Sequence, residues 1–171
     1  VTGTNGKSSV ADFYFQILNL NSKRVASIGT IGIRHKDRKK IIKNTTLDPI
    51  QLAKILGDLK RKKIDNVIME ASSHGLHQKR VDHLDLKLGI FTNFSQDHLD
   101  YHKTMKSYFN AKMHLFKNII PSKKSIIIDK SIQKFSDIKK ISKTRSLRLI
   151  DINKTKVKLD KLVGDKFNDF Q

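Results

Sequence analysis

Apolar positions along the chain fall into short runs separated by stretches of helical spacing. After a glycine-rich turn over Val1–Ser9, Val10–Leu20 reads as a helix. Arg24–Ile33 is strand-like and Arg34–Lys43 reads as a polar loop. Asp48-Pro49-Ile50-Gln51 has the form of a helix start. Asp caps, Pro takes the first helical position, and Gln can close a capping box. Leu52, Ile55, Leu56 and Leu59 then follow at helical spacing. Asn66–Glu70 and Leu86–Asn93 read as short buried strands and Met105–Lys117 as a helix. Ser125–Ile128 is a strand, Ile132–Lys143 a helix and Leu147–Ile152 a strand. This alternation predicts an α/β fold with a mainly parallel sheet flanked by helices. Ligands of such sheets sit beyond the carboxyl ends of the strands. From Asp151 onward the sequence is polar and weakly patterned.

Composition narrows the picture. The 171 residues make about one domain, long enough for a real core. Cysteine is absent, which excludes disulfides and thiolate metal sites. No apolar run approaches the roughly 18 residues of a membrane span, and no signal peptide is visible, so no membrane partner is expected. The net charge of +19 admits two readings, a nucleic-acid binder or a solvated lysine-rich surface. The basic excess lies on both sides of residue 117 rather than in one patch, and there is no Trp and no aromatic-basic interleaving. Nucleic acid is therefore disfavoured as the main partner. The basic surface would still attract anionic nucleotides.

Three segments carry chemistry. Gly3-Thr4-Asn5-Gly6-Lys7-Ser8-Ser9 opens the first helix. Glycines let backbone N–H groups turn inward around phosphate oxygens, and the helix N-terminus adds partial positive charge. Lys7 can reach the β- and γ-phosphates of ATP and the Ser8 hydroxyl can ligate Mg²⁺. Val1 stands where the general phosphate-loop pattern has its first glycine. The alternative is a plain glycine-rich turn before a helix. Glu70 ends an apolar strand, where it can hold Mg²⁺ or serve as a solvated acid. Phe91-Thr92-Asn93-Phe94-Ser95-Gln96-Asp97-His98-Leu99-Asp100-Tyr101-His102 follows another apolar strand and crowds His, Asp and Asn at the same sheet edge. Neutral imidazole is a competent metal ligand.

Met105, Phe109, Lys112 and Phe116 share one face of their helix. Lys112 thus sits in an apolar stripe, where an ammonium is costly unless it is paired or snorkels to water. Snorkelling is the ordinary solution.

The motifs together resemble the Mur ligases, and within them the E-type. Thr-Gly-Thr-Asn-Gly-Lys-Ser-Ser is similar to the family's phosphate loop, which departs from the general pattern in the same way and is shared with folylpolyglutamate synthases. Glu70-x-Ser72-Ser73-His74-Gly75-Leu76 with Gln78, Arg80 and Val81 resembles the E-type pattern, as does Thr92-Asn93 through Asp97-His98-Leu99-Asp100-Tyr101-His102. Asn44-Thr45-Thr46-x-Asp48-Pro49 resembles its substrate loop, and Tyr108-Phe109-Asn110-Ala111-Lys112 the segment whose lysine is carbamylated by CO₂. These motifs cover residues 1–117. Val163-Gly164-Asp165-Lys166-Phe167-Asn168 is a looser match to the motif that ends the central domain.

The resemblance implies a P-loop NTPase-like central, ATP-binding domain over residues 1–171, cut at its first strand and incomplete after about 128. The flanking UDP-sugar and amino-acid domains are expected to lie elsewhere. It implies ATP bound by Gly3, Thr4, Asn5, Gly6, Lys7, Ser8 and Ser9. Glu70, His98 and carbamylated Lys112 would hold a second Mg²⁺, with Ser8 also a metal ligand. Asn44, Thr45, Thr46, Ser72, Gln78 and Arg80 would contact a UDP-N-acetylmuramoyl-dipeptide, whose carboxylate attacks the γ-phosphate. The resulting acyl phosphate is displaced by the amine of a third amino acid, diaminopimelate or lysine, in cell-wall synthesis. A cytoplasmic monomer is expected. The rival readings are another Mur ligase, a folylpolyglutamate synthase, an inactive remnant, or a basic P-loop module acting on nucleic acid.

Overall fold

Five consecutive buried residues make β1 (Val25–Gly29) the spine of one half of the sheet. The computed structural model describes residues 1–36 and 38–154. The expected single strand over Arg24–Ile33 is instead a hairpin: β1 turns at Thr30-Ile31 and returns as β2 (Gly32–His35), antiparallel, with Ile28 opposite Ile33. Gly32 supplies the reason, since its φ of 112° lies in the left-handed region that side chains avoid. The expected polar loop likewise contains β3 (Arg38–Lys40), an edge strand exposed at all three positions. Its charges leave it legible as a loop and suit it to an edge.

β4 (Asn66–Met69) pairs parallel to β1, giving the order β3-β2-β1-β4. β5 (Leu88–Phe91), β6 (Ser125–Ile128) and β7 (Arg148–Asp151) form a second parallel set. Residues 1–2 stitch the sets together. The Val1 amine donates to Met69 O and the Val1 carbonyl accepts from Ala71 N, both at 2.8 Å. On the other side Thr2 N donates to Ile90 O and Thr92 N to Thr2 O. The phosphate loop therefore leaves the middle of one continuous surface, between the strands that deliver Glu70 and Thr92.

Helix α1 (Lys7–Leu20) begins three residues before the expected Val10, so Lys7, Ser8 and Ser9 form its first turn. Helix α2 (Pro49–Arg61) starts as read: Asp48 Oδ1 accepts from Ile50 N and Gln51 N, and Pro49 needs no donor. Its Leu52 and Leu59 are buried in the core, with Ile55 and Leu56 beside them. Burying each leucine contributes about 1.5–3 kcal/mol. Two short helices, α3 (Ser73–His77) and α4 (Leu99–His102), lay below the resolution of periodicity. Helix α5 (Met105–His114) is capped by Thr104 and ends in a π-helical turn, Leu115–Ile119. That turn buries Leu115, Phe116 and Ile119 together. Helix α6 (Phe135–Thr144) packs outside β7 and begins three residues after the expected Ile132. Residues 125–151 thus continue the strand-helix-strand pattern. The Val163–Asn168 motif lies outside the described residues.

Candidate nucleotide and substrate site

The loop between Thr2 and α1 is held open by glycine geometry. Gly3 has φ +149°, and a Cβ there would lie 1.9 Å from Thr92 Oγ1. Gly6, at φ +80°, occupies the N-cap of α1, and no side chain caps that end. The first-turn N–H groups are thus left to an external acceptor, the arrangement that binds phosphate. Asn93 pins the loop from the side, accepting from Asn5 N at 2.9 Å and donating to Asn5 O at 3.2 Å. Thr92 Oγ1 also donates to Asn5 O. Thr4 Oγ1 donates to Ser95 O and accepts from Ser95 N. Ser9, in the first turn of α1, is exposed.

Lys7 and Lys112 converge on one carbonyl. Lys7 Nζ donates to Gly3 O and Thr4 O at 3.0 and 2.7 Å, and Lys112 Nζ donates to Gly3 O at 2.7 Å. Lys112 is 1% exposed, so it does not snorkel to water. Its ammonium lies 4.5 Å from the centre of the Tyr108 ring. Burial, and then the neighbouring Lys7 charge, pull Lys112 down to about 7, with Asp97 opposing. Lys7 is lowered by burial, with Glu70 and Asp97 opposing. A lysine brought near neutrality is a nucleophile as well as a cation.

Glu70, 1% exposed, stands at the carboxyl end of β4. Its Oε2 accepts from Ser8 Oγ at 2.9 Å and its Oε1 from Thr30 N at 2.8 Å. A hydroxyl and a carboxylate side by side at a helix N-terminus are a hard-oxygen pair suited to Mg²⁺ beside phosphate. The residues therefore fit a Mg-nucleotide. Among the described residues no three His, Asp or Glu side chains form a metal-holding group. A metal there would draw its remaining ligands from other donors.

His98 opens α4 in the left-handed conformation, φ +51°, and is exposed toward the same edge. It belongs to a packed ring cluster with His74, Tyr101, His102 and Tyr108. His102 is buried and neither ring nitrogen has a partner among the described residues. Burial, then the neighbouring His74, His77, Lys112 and His98 charges, push it down to about 4. It is neutral at ordinary pH.

The expected substrate loop lies against the main chain at Glu70. Thr46 Oγ1 donates to Glu70 O or to Ser72 Oγ, each 3.1 Å away, and accepts from Ser72 N at 2.9 Å. Arg80 Nη1 donates to Thr46 O at 2.7 Å, and Arg80 also binds Gln78 Oε1. Ser72 caps α3 through Gly75 N. Asn44 is exposed and Thr45 half-buried. The structure thus gathers Thr46, Ser72, Gln78 and Arg80 within one hydrogen-bonded network, while Thr45 bonds to Thr30. Sequence reading missed Thr30, Tyr108 and the packing role of His102. Tyr108 and His102 stand inside segments singled out above, Tyr108 one helical turn before Lys112, whereas nothing local marks Thr30.

A glycine-rich loop at a helix N-terminus, touching a strand-end carboxylate at the edge of a mainly parallel sheet, defines a P-loop-type nucleotide-binding domain. The chain belongs to the Mur ligase family: the model of the Mur ligase middle domain matches residues 1–169. It is similar to UDP-N-acetylmuramoyl-L-alanyl-D-glutamate–2,6-diaminopimelate ligases. That of Rickettsia montanensis is 39% identical over 158 residues, 90% of this chain and 33% of the relative. That of Buchnera aphidicola is 44% identical over 142 residues, 80% of this chain and 29% of the relative. A solved structure of an enzyme of this name superposes with TM-score 0.77 at 28% identity, covering 87% of this chain and 30% of that one. E. coli FolC, solved with DHPP and ADP, shares the fold at TM-score 0.58 and 17% identity, over 86% of this chain and 40% of that one. The chain spans about a third of the length of the curated relatives it matches. Among the described residues no helix is long and apolar enough to cross a membrane.

Proposed function

We propose that the chain is the ATP-binding middle domain of a cytoplasmic ligase that extends a UDP-N-acetylmuramoyl-dipeptide by one amino acid. The choice of 2,6-diaminopimelate follows the names of its relatives. The observation that carries the reading is the contact of Ser8 with Glu70, flanked on one side by the phosphate loop and on the other by the Thr46–Arg80 network. In this reading Gly3–Ser9 bind the phosphates and Lys7 turns from the loop carbonyls to the β- and γ-oxygens. Asn44, Thr45, Thr46, Ser72, Gln78 and Arg80 hold the muramoyl-dipeptide, so that its carboxylate meets the γ-phosphorus in line. The carboxylate oxygen bonds to phosphorus as the bond to the ADP oxygen breaks. The amino acid's amine then displaces phosphate from the acyl carbon, forming the amide and losing a proton. Ser8, Glu70, His98 and carbamylated Lys112 would hold Mg²⁺, which supplies charge neutralisation at the phosphates.

Carbamylation is the reaction of the neutral Lys112 amine with CO₂, forming an N–C bond and releasing one proton. The buried position of Lys112 and its lowered pKa support it. The test of the functional reading is turnover in a ligase carrying these residues as its middle domain. ADP release should require UDP-N-acetylmuramoyl-L-alanyl-D-glutamate together with 2,6-diaminopimelate. ADP release that responds to DNA or RNA and not to the muramoyl-dipeptide would refute it.

A further inference from the structure

Among the described residues Glu70 is the one buried carboxylate, and Thr30, which supplies two of the bonds that orient it, lies in no motif. The two Glu70 oxygens accept three side-chain or backbone bonds. Oε1 takes the Thr30 amide at 2.8 Å. Oε2 takes the Ser8 hydroxyl at 2.9 Å and the Thr30 hydroxyl at 3.3 Å. The carboxylate also packs on bare backbone, since a Cβ at Gly29 would lie 2.1 Å from Oε1.

The Thr30 hydroxyl has a second neighbour, Thr45 Oγ1 at 3.0 Å. A threonine hydroxyl has one proton, and with Thr30 donating it to Glu70 Oε2, Thr45 is the donor to Thr30. The result is a directed chain from Thr45 through Thr30 to Glu70 Oε2, the oxygen that Ser8 shares. Bonds of one polarity in series strengthen one another. Thr45 lies next to Thr46, which is locked to the Glu70 main chain, Ser72 and Arg80. Thr30 therefore sits where the nucleotide side and the substrate loop meet.

We infer that Thr30 is a positioning residue: its amide and hydroxyl set the Glu70 carboxylate, and its hydroxyl ties that carboxylate to the substrate loop through Thr45. The inference rests on the functional reading above, which makes residues 44–46 the substrate loop. A ligand that orders Thr45 then pre-orients Glu70 for the nucleotide side, and the reverse. Coupling of this kind is reciprocal.

The experiment compares wild type, Thr30→Val and Thr30→Ser in a ligase carrying this domain. Calorimetry measures Mg-AMP-PNP binding with and without UDP-N-acetylmuramoyl-L-alanyl-D-glutamate, and the converse. In wild type each ligand should tighten the other by about 5-fold or more, the lower end of typical coupling. Thr30→Val keeps the size and the amide but removes the hydroxyl, and should bring that factor to within about 2-fold. Thr30→Ser should retain it. Thr45→Val should cause the same loss, and the double variant should lose no more, as members of one chain do. Should Thr30→Val fail to fold, Thr45→Val reads the same link. Coupling that survives both valine variants, or is absent in wild type, overturns the inference alone. Failure of wild type to bind the muramoyl-dipeptide overturns the functional reading and this inference with it.

Discussion

The Lys112 ammonium donates to the Gly3 carbonyl at 2.7 Å, so a helix 109 residues downstream closes on the phosphate loop. Two lysines share this carbonyl, and their mutual repulsion adds to the cost of burial. The consequence is a stability that depends on pH. The folded pKa of Lys112 is about 7, below the ordinary value of 10.5. Below about 7 both folded and unfolded states carry the proton, and the full cost of burying the charge is present. Between about 7 and 10.5 the unfolded chain binds more protons, so stability rises with pH. Urea melts in CO₂-free buffer should show this rise, and Lys112→Met should flatten it. Equal slopes for the two proteins would show that Lys112 is not a buried cation.

Carbamylation predicts a different outcome for the same side chain. Incubation with ¹³C-bicarbonate should yield a carbamate carbon signal that Lys112→Arg lacks. In a ligase carrying this domain, Lys112→Ala should lose most turnover, and short carboxylic acids should restore part of it by supplying the missing oxygens. Normal turnover in Lys112→Arg would dismiss the modification, because Arg keeps the charge and takes up no CO₂.

Lys7 bonds to loop carbonyls and is poised to exchange them for phosphate. A charge-assisted bond is worth about 1.5–3 kcal/mol, so Lys7→Ala should weaken Mg-ATP binding roughly 10- to 100-fold. The melting temperature should change little, because Lys7 is only half-buried. Unaltered affinity by calorimetry would remove Lys7 from the site.

Arg80 holds the Thr46 carbonyl at 2.7 Å and leaves other donors for an anionic ligand. In the ligase, Arg80→Ala should raise the KM for the muramoyl-dipeptide by roughly 10-fold or more, the scale of one lost charged hydrogen bond. The KM for ATP should move far less. An effect confined to ATP would contradict the assignment of this network to the substrate.

Gly75 tests the close packing behind that loop. Gly→Ala within a helix ordinarily stabilises by about 1 kcal/mol. Here a Cβ would stand 2.6 Å from Thr46 Cβ and Cγ2, and Thr46 is buried and fixed by three partners. Overpacking of about 1–3 kcal/mol should win. Gly75→Ala should therefore lower the denaturation midpoint, and a higher midpoint would mean that the loop yields easily.

What the sequence by itself determined is what depends on neighbours a few residues apart. The Gly3–Ser8 loop, the Asp48-Pro49 helix start, the leucine face of α2 and the apolar stripe bearing Lys112 are all written in local spacing. Helix and strand periods and phosphate-loop glycines need no knowledge of the rest of the chain. The hairpin at Gly32 escaped because Gly29 and Gly32 lie within one apolar run and neither forms a turn dipeptide, and α3 and α4 escaped because one turn of helix has no period to detect. The tertiary structure alone decided that residues 1–2 run between β4 and β5, that Lys112 reaches Gly3 rather than water, and that Thr30 meets both Glu70 and Thr45. Those pairings join residues up to 109 positions apart. They are set by which strands lie side by side, and strand order is fixed by burying the whole sheet at once, not by any segment's own preference.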